Sequence, residues 1–157
     1  MGFIPSFQFP PIYYAHTSYR LLQLVLGLTV IGLYGIDLHK ANSVGKYSDA
    51  KWVYAIVVSS LSAATALFYA IPRFHRIPFI FAWDSILFIL WIALFGLFGK
   101  MYIKENPEGN KGIRRMKNAV WVDLANACLW FISALGMAAY WFKFRGMRTK
   151  WTGRATV

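Results

Sequence analysis

Charge is the scarcest property of this chain: Asp, Glu, Lys and Arg make up 15% of its 157 residues, against about a quarter in a typical soluble domain. A chain so poor in charge cannot cover a water-facing surface all round. Cysteine is almost absent as well. The single thiol, Cys128, excludes an intrachain disulfide and any four-sulfur metal site. The three histidines, His16, His39 and His75, fall in separate polar segments with no metal-ligand spacing to one another or to the cysteine, so no metal site is expected. No Ser, His and acid arrangement offers a nucleophile, and no glycine-rich loop is suited to phosphate. No catalytic residues and no cofactor are therefore expected. The first twenty residues lack a small-residue cleavage site after an apolar core, so the first apolar run reads as an uncleaved anchor.

What the chain has in abundance is apolar surface: 58% of its residues are hydrophobic. Four long apolar runs are separated by short polar segments, which predicts an all-α integral membrane four-helix bundle. The first span runs from about Leu21 to Leu38 and reaches roughly 27 Å at 1.5 Å per residue. The second, about Trp52 to Ile71, contains no charge and stops at Pro72, whose missing donor suits a helix boundary. The third begins around Pro78 and continues to Gly99, carrying the single charge Asp84. The fourth runs from about Ala119 to Phe142, behind the basic RRMK segment, and contains Asp123 and Asn126. These spans give one domain over 21–142, with an aromatic and proline-rich segment at 1–20 and a basic tail at 143–157. Tyr13, Tyr14, Tyr19, Trp52, Tyr54, Tyr102, Trp121, Tyr140 and Trp141 lie near the proposed span ends, where amphipathic rings favour the interface.

The 17 basic residues outnumber the six acids and give a formal net charge of +11. They flank the apolar runs, so they meet lipid headgroups, and nucleic acid is not an expected partner. Arg20, Arg73, Arg76, Lys143, Arg145, Arg148, Lys150 and Arg154 lie on the side of the termini, and the remaining nine of the 17 lie in the opposite loops. The count alone is nearly level. The tail and the PRFHRI turn hold their basic residues without any acid, whereas Asp49, Glu105 and Glu108 dilute the other side, which favours cytosolic termini. The tail residues Lys143, Arg145, Arg148, Lys150 and Arg154 form a candidate site for anionic headgroups, each contributing about 1 kcal/mol near an anionic leaflet; equally, they serve only to set topology. The opening MGFIPS matches a myristoylation pattern with Gly2 as acceptor, although one acyl chain adds little anchoring to four spans.

Small residues are spaced for close helix approach in SSLSAATALFYA of the second span and at Gly27, Gly32, Gly35, Gly96 and Gly99. Packing within one bundle and a homo-oligomer interface both use such faces. Three acids, Asp37, Asp84 and Asp123, lie in or at the ends of spans, where charge is usually placed for a reason. Asp84 and Asp123 follow tryptophans near predicted helix starts, where the dipole favours an anion. Each shares a face with a deeper indole seven residues on, Trp91 and Trp130. Antiparallel helices put Asp84 in the leaflet nearer the termini and Asp37 with Asp123 in the other, so the acids form no continuous path. A structural role pairs Asp84 with Arg20, Arg73 or Arg76, and Asp123 with Arg114, Arg115 or Lys117. A transport role would need a wetted route between them, and the centre supplies only Ser59, Ser60, Ser62, Thr65 and Ser133. Cys128, about two and a half turns inside the fourth span, is expected to be a small packing residue.

The segments RMKNAVWVDLANACLW at 115–130 and FAWDSILFILWIALFGLFGKMY at 81–102 resemble the small fungal branch of the MARVEL domain (membrane-associating domain) proteins. The paired pattern of Trp83, Asp84 and Trp91 with Trp121, Asp123, Asn126 and Trp130 carries the resemblance, which covers nearly the whole chain. It implies a four-helix domain with cytosolic termini and a role in membrane organisation, membrane apposition or vesicle trafficking, at the plasma membrane or an endomembrane. It implies no catalytic residues. The partners it implies are membrane lipids and other membrane proteins. A small oligomeric transporter or channel built around Asp84 and Asp123 is the alternative from a different class.

Overall fold

The computed structural model describes residues 11–45, 50–70 and 80–151, with side chains described at 14–40, 42–45, 50–70 and 80–143. Four helices follow one another: α1 (Pro11–Ser43), α2 (Ala50–Ala70), α3 (Ile80–Tyr102) and α4 (Lys111–Trp151). Each contains a stretch long and apolar enough to cross a membrane, at about 1.5 Å of rise per residue and a hydrocarbon core of about 30 Å. The chain is a multi-pass membrane protein, and the all-α four-helix bundle expected from its hydropathy is the observed fold.

Local chemistry sets the helix ends. α1 starts on Pro11, whose fixed φ and missing donor suit a first helical position. It ends at a turn where the amide of Gly45 donates to the carbonyl of Asn42 at 3.1 Å with φ +65°, a conformation glycine adopts without penalty. α4 starts where Asn110 Oδ1 accepts from the amide of Gly112 at 2.9 Å, a side-chain cap for an otherwise orphaned donor. That cap sits ahead of the RRMK segment, so α4 begins eight residues before the expected Ala119 and carries its basic residues on the helix itself. α1 likewise begins before the expected Leu21, and residues 11–20 are helical rather than a separate segment. Pro72 and Pro78 lie outside the described residues.

α1 packs most extensively on α2 and α3 on α4, and the bundle closes through narrower α1–α4 and α2–α3 contacts. Successive helices are therefore neighbours in an up-down arrangement with short connections. The buried positions of α1 are Arg20, Gln23, Gly27, Val30 and Tyr34, and those of α3 include Asp84, Leu87, Trp91, Leu94 and Phe98. Both sets alternate three- and four-residue steps, the spacing of a left-handed coiled seam. Trp91, Trp130, Tyr34 and Phe98 are the largest fully buried side chains, and the ring of Tyr34 meets that of Phe98 at 4.5 Å between centroids. Leu, Ile, Val and Phe side chains point outward along all four helices, among them Leu28, Val57, Ile89 and Ile132. Such a surface suits lipid.

The small residues divide between the two environments. A Cβ on Gly27 would meet the carbonyl oxygen of Ser59 at 3.4 Å and Ala63 Cβ at 3.7 Å, so this glycine sets the close approach of α1 to α2. Gly32, Gly35, Gly96 and Gly136 have nothing within 4 Å, and Ser60 and Ala64 are exposed. Intrabundle packing thus uses only part of the small-residue pattern.

Candidate functional site

The buried polar side chains are Arg20, Gln23, Ser59, Ser62, Thr65, Asp84, Asp123, Asn126 and Ser133. Polar groups in a low-dielectric interior need partners, and most are found across helix boundaries. At the end nearer the termini, Arg20 of α1 is 3% exposed and stands 3.7 Å from a fully buried Asp84 on α3. Its guanidinium also donates to Gln23 Oε1 at 2.7 Å and to His16 Nε2 at 3.3 Å. Tyr69 of α2 lies beneath it, with the guanidinium carbon 4.6 Å from the ring centroid, and Trp130 of α4 flanks it at 5.9 Å. The Asp84 carboxylate accepts from the Ser133 hydroxyl. One cation–carboxylate pair thus draws together all four helices. Of the basic partners expected for Asp84, Arg20 is the one in place; Arg73 and Arg76 lie outside the described residues, as does His75.

At the other end, Tyr34 of α1 donates to Asp123 Oδ2 at 2.6 Å. None of Arg114, Arg115 or Lys117 pairs with Asp123, contrary to the sequence reading. Arg115 instead pairs with Asp37. The reason is register: Arg115 lies eight residues before Asp123 on α4, beside the last turns of α1, where Asp37 is waiting. Asn126, one turn beyond Asp123, donates from Nδ2 to the carbonyl of Val122 at 3.0 Å. The helix-dipole argument also needs correction at Asp123. α4 starts at Lys111, so the carboxylate lies about 18 Å along the axis, far beyond the first turn where the dipole acts. Asp84, the fifth residue of α3, is likewise outside the first turn.

Between the two ends, α2 ties itself to α3 through side chains. Trp91 Nε1 donates to Ser62 at 2.8 Å, Trp83 Nε1 to Thr65 at 3.1 Å, and the Tyr54 hydroxyl to the carbonyl of Leu90 at 3.1 Å. Tyr19 similarly donates to the carbonyl of Leu129 on α4. Tyr19 and Tyr54, expected at headgroup level, thus cross-link helices, while Tyr14, Trp121 and Tyr140 point outward. Cys128 is exposed on the outer face of α4, which corrects its reading as a packing residue. The helical period turns position 128 outward because Ala127 and Trp130 occupy the inner face.

Gln23, Tyr34 and Tyr69 escaped the sequence reading as site residues. Gln23 and Tyr34 are eleven residues apart, three helical turns, and lie on the same face as Arg20; that spacing was the available signal. Among the described residues no group of three or more His, Cys, Asp or Glu could hold a metal. Lys143 is exposed at the end of the described side chains. Arg145, Arg148 and Lys150 lie on the α4 backbone with side chains outside the described residues, as Arg154 and Gly2 do entirely. No family model, curated protein or solved structure matches the chain.

Proposed function

We propose that this protein is a non-enzymatic organiser of the membrane in which it sits, acting in lateral membrane organisation, apposition or vesicle trafficking. The observation that carries the reading is the way the bundle divides its surfaces. Of its charged interior groups Arg20 and Asp84 are occupied with each other and Asp123 is held by the Tyr34 hydroxyl, while Asp37 and Arg115 pair nearer the surface. Large aromatic side chains fill the middle, and the outward faces present apolar side chains along every helix. What such a bundle offers its surroundings is a lipid-facing surface with aromatic rings near its ends, suited to selecting bilayer thickness. The basic residues 143–154 add attraction to anionic headgroups. The resemblance to MARVEL domains supports the same role and cytosolic termini. Native extraction of the protein with its surrounding lipid is the test. Retained anionic lipid should fall when Lys143, Arg145, Arg148, Lys150 and Arg154 are neutralised together, and high salt should do the same, because the attraction decays over about 8 Å at physiological ionic strength. Lipid retention indifferent to both changes would refute the mechanism.

A second reading, a small oligomeric transporter or channel, is favoured by one specific observation: Asp123 has no basic partner among the described residues. Flux through liposomes carrying the purified protein separates the two. Ion movement abolished by Asp84→Asn or Asp123→Asn, with stability intact, would replace membrane organisation by transport.

A further inference from the structure

Asp123 and Asn126 stand one turn apart on the inner face of α4, both with no exposed surface. Residues three apart on a helix are neighbours, with about 5–6 Å between their Cβ atoms. Asp123 receives the Tyr34 hydroxyl on Oδ2; its Oδ1 is buried with no donor among the described residues. Asn126 directs its amide N–H to the carbonyl of Val122. That bond fixes which way round the amide lies, because the reverse orientation would set two acceptors against each other. Asn126 Oδ1 is therefore a second buried acceptor without a donor among the described residues.

Among the described residues no basic side chain pairs with Asp123. From α1 the titratable groups facing the pair are Tyr34 and, one turn on, Asp37, which is engaged by Arg115. α3 brings Tyr102, stacked on Phe98. α2, packed against α1 and α3, contributes Tyr54, bonded to the carbonyl of Leu90, and Lys51, directed to Met101 at 3.9 Å. The orphaned atoms at the opposite end of the bundle differ in kind. Around Arg20 they are two donors, Gln23 Nε2 and Trp130 Nε1, and one acceptor, Asp84 Oδ1, which are complementary. At the Asp123 end Asp37 Oδ2 and Arg115 Nε are again complementary, whereas on Asp123 and Asn126 both orphaned atoms are acceptors, and one belongs to a carboxylate. A water molecule donating to both oxygens would satisfy their hydrogen bonding and leave the buried charge unmatched.

We propose that Asp123, Asn126 and Tyr34 form an intramembrane binding site for a monovalent cation, H+ or Na+. One positive charge between Asp123 Oδ1 and Asn126 Oδ1 neutralises the carboxylate and satisfies both acceptors. As a proton it rides on Asp123 Oδ1 and is donated to Asn126 Oδ1. As Na+ it takes both oxygens and the Tyr34 hydroxyl as hard ligands, the type such ions prefer. A divalent ion would leave an excess positive charge in the same low-dielectric setting. The site does not depend on the membrane-organising reading and requires no ion flux.

The experiment uses full-length protein in nanodiscs, with N-methyl-D-glucamine replacing Na+ in one arm. Infrared spectra report a protonated carboxyl group, and thermal unfolding reports ion binding. If the occupant is a proton, wild type shows a protonated-carboxyl band that Asp123→Asn removes and Asp84→Asn retains. Its stability then falls as pH rises, because the folded state holds a proton that the unfolded chain has released. If the occupant is Na+, adding NaCl but not the organic salt raises the unfolding temperature of wild type and leaves Asp123→Asn unmoved. Asn126→Ala provides a milder variant should Asp123→Asn fail to fold. It moves the carboxyl band to that of an acid lacking its acceptor, or raises the half-saturating Na+ concentration about tenfold, the factor for one lost bond. A wild type with neither the band nor a specific response to Na+ overturns the proposal, as does a band or response that both variants leave unchanged.

Discussion

Replacing Asp84 with Asn is the sharpest test of how the bundle is held together. The amide keeps the shape of the carboxylate and an oxygen for the Ser133 hydroxyl, but it removes the charge that faces Arg20 at 3.7 Å. At about 4 Å and an effective dielectric of about 20, a unit charge pair is worth about 4 kcal/mol. Mutational experience agrees: stranding one member of a buried pair destabilises by about 3–5 kcal/mol. Arg20 is 3% exposed, so it cannot turn to water without breaking its contacts with Gln23, Tyr69 and Trp130. The expected loss in unfolding free energy, measured by denaturation in mixed micelles, is therefore about 3–5 kcal/mol. The double variant Arg20→Met with Asp84→Asn should recover most of it, because no charge is then left unmatched. A single-variant loss below about 1 kcal/mol, the range of an exposed pair, would refute the reasoning. So would a double variant as unstable as the sum of the two singles.

Gly27→Leu should destabilise by about 1–3 kcal/mol, the usual penalty for overpacking, because a side chain there runs into Ser59 and Ala63. Gly32→Leu, on the same helix with open space beside it, should be neutral in the same assay, and an equal loss at both positions would count against the α1–α2 packing. Cys128, exposed on α4, should accept Leu with a change within about 0.5 kcal/mol in the same assay; a loss of about 1–3 kcal/mol, the overpacking penalty, would place it at a helix contact. For orientation, cysteines are placed at Ser48 or Thr152 in a Cys128→Ser background and intact cells are treated with an impermeant thiol reagent. Position 48 should label and position 152 should not, and the reverse pattern would put the termini outside.

The sequence by itself determined the number of spans, the fold class and the end of the bundle at which each acid lies, because apolar runs and the polar breaks between them are one-dimensional signals. Which helical faces turn inward was decided by the packing: Gln23 and Ser62 are buried, whereas Thr29 and Ser60, equally polar and on the same helices, are exposed. Which basic residue meets which acid was decided only by tertiary structure. Arg115 goes to Asp37 rather than Asp123 because pairing depends on the relative slide of α1 and α4, which no spacing within one helix encodes. The start of α4 follows from a local cap at Asn110, while hydropathy detects only where the apolar run begins. The destination of the small residues was partly tertiary as well: five residues turn α1 by about 140° and so put Gly27 and Gly32 on different faces, but only the packed bundle shows that Gly27 lies against α2 while Gly32 faces open space. The two bare oxygens of Asp123 and Asn126 belong to the same class. Their spacing is visible in the chain, but their lack of a donor among the described residues emerges only when the neighbouring helices are in place and the Tyr34 hydroxyl goes to the other carboxylate oxygen.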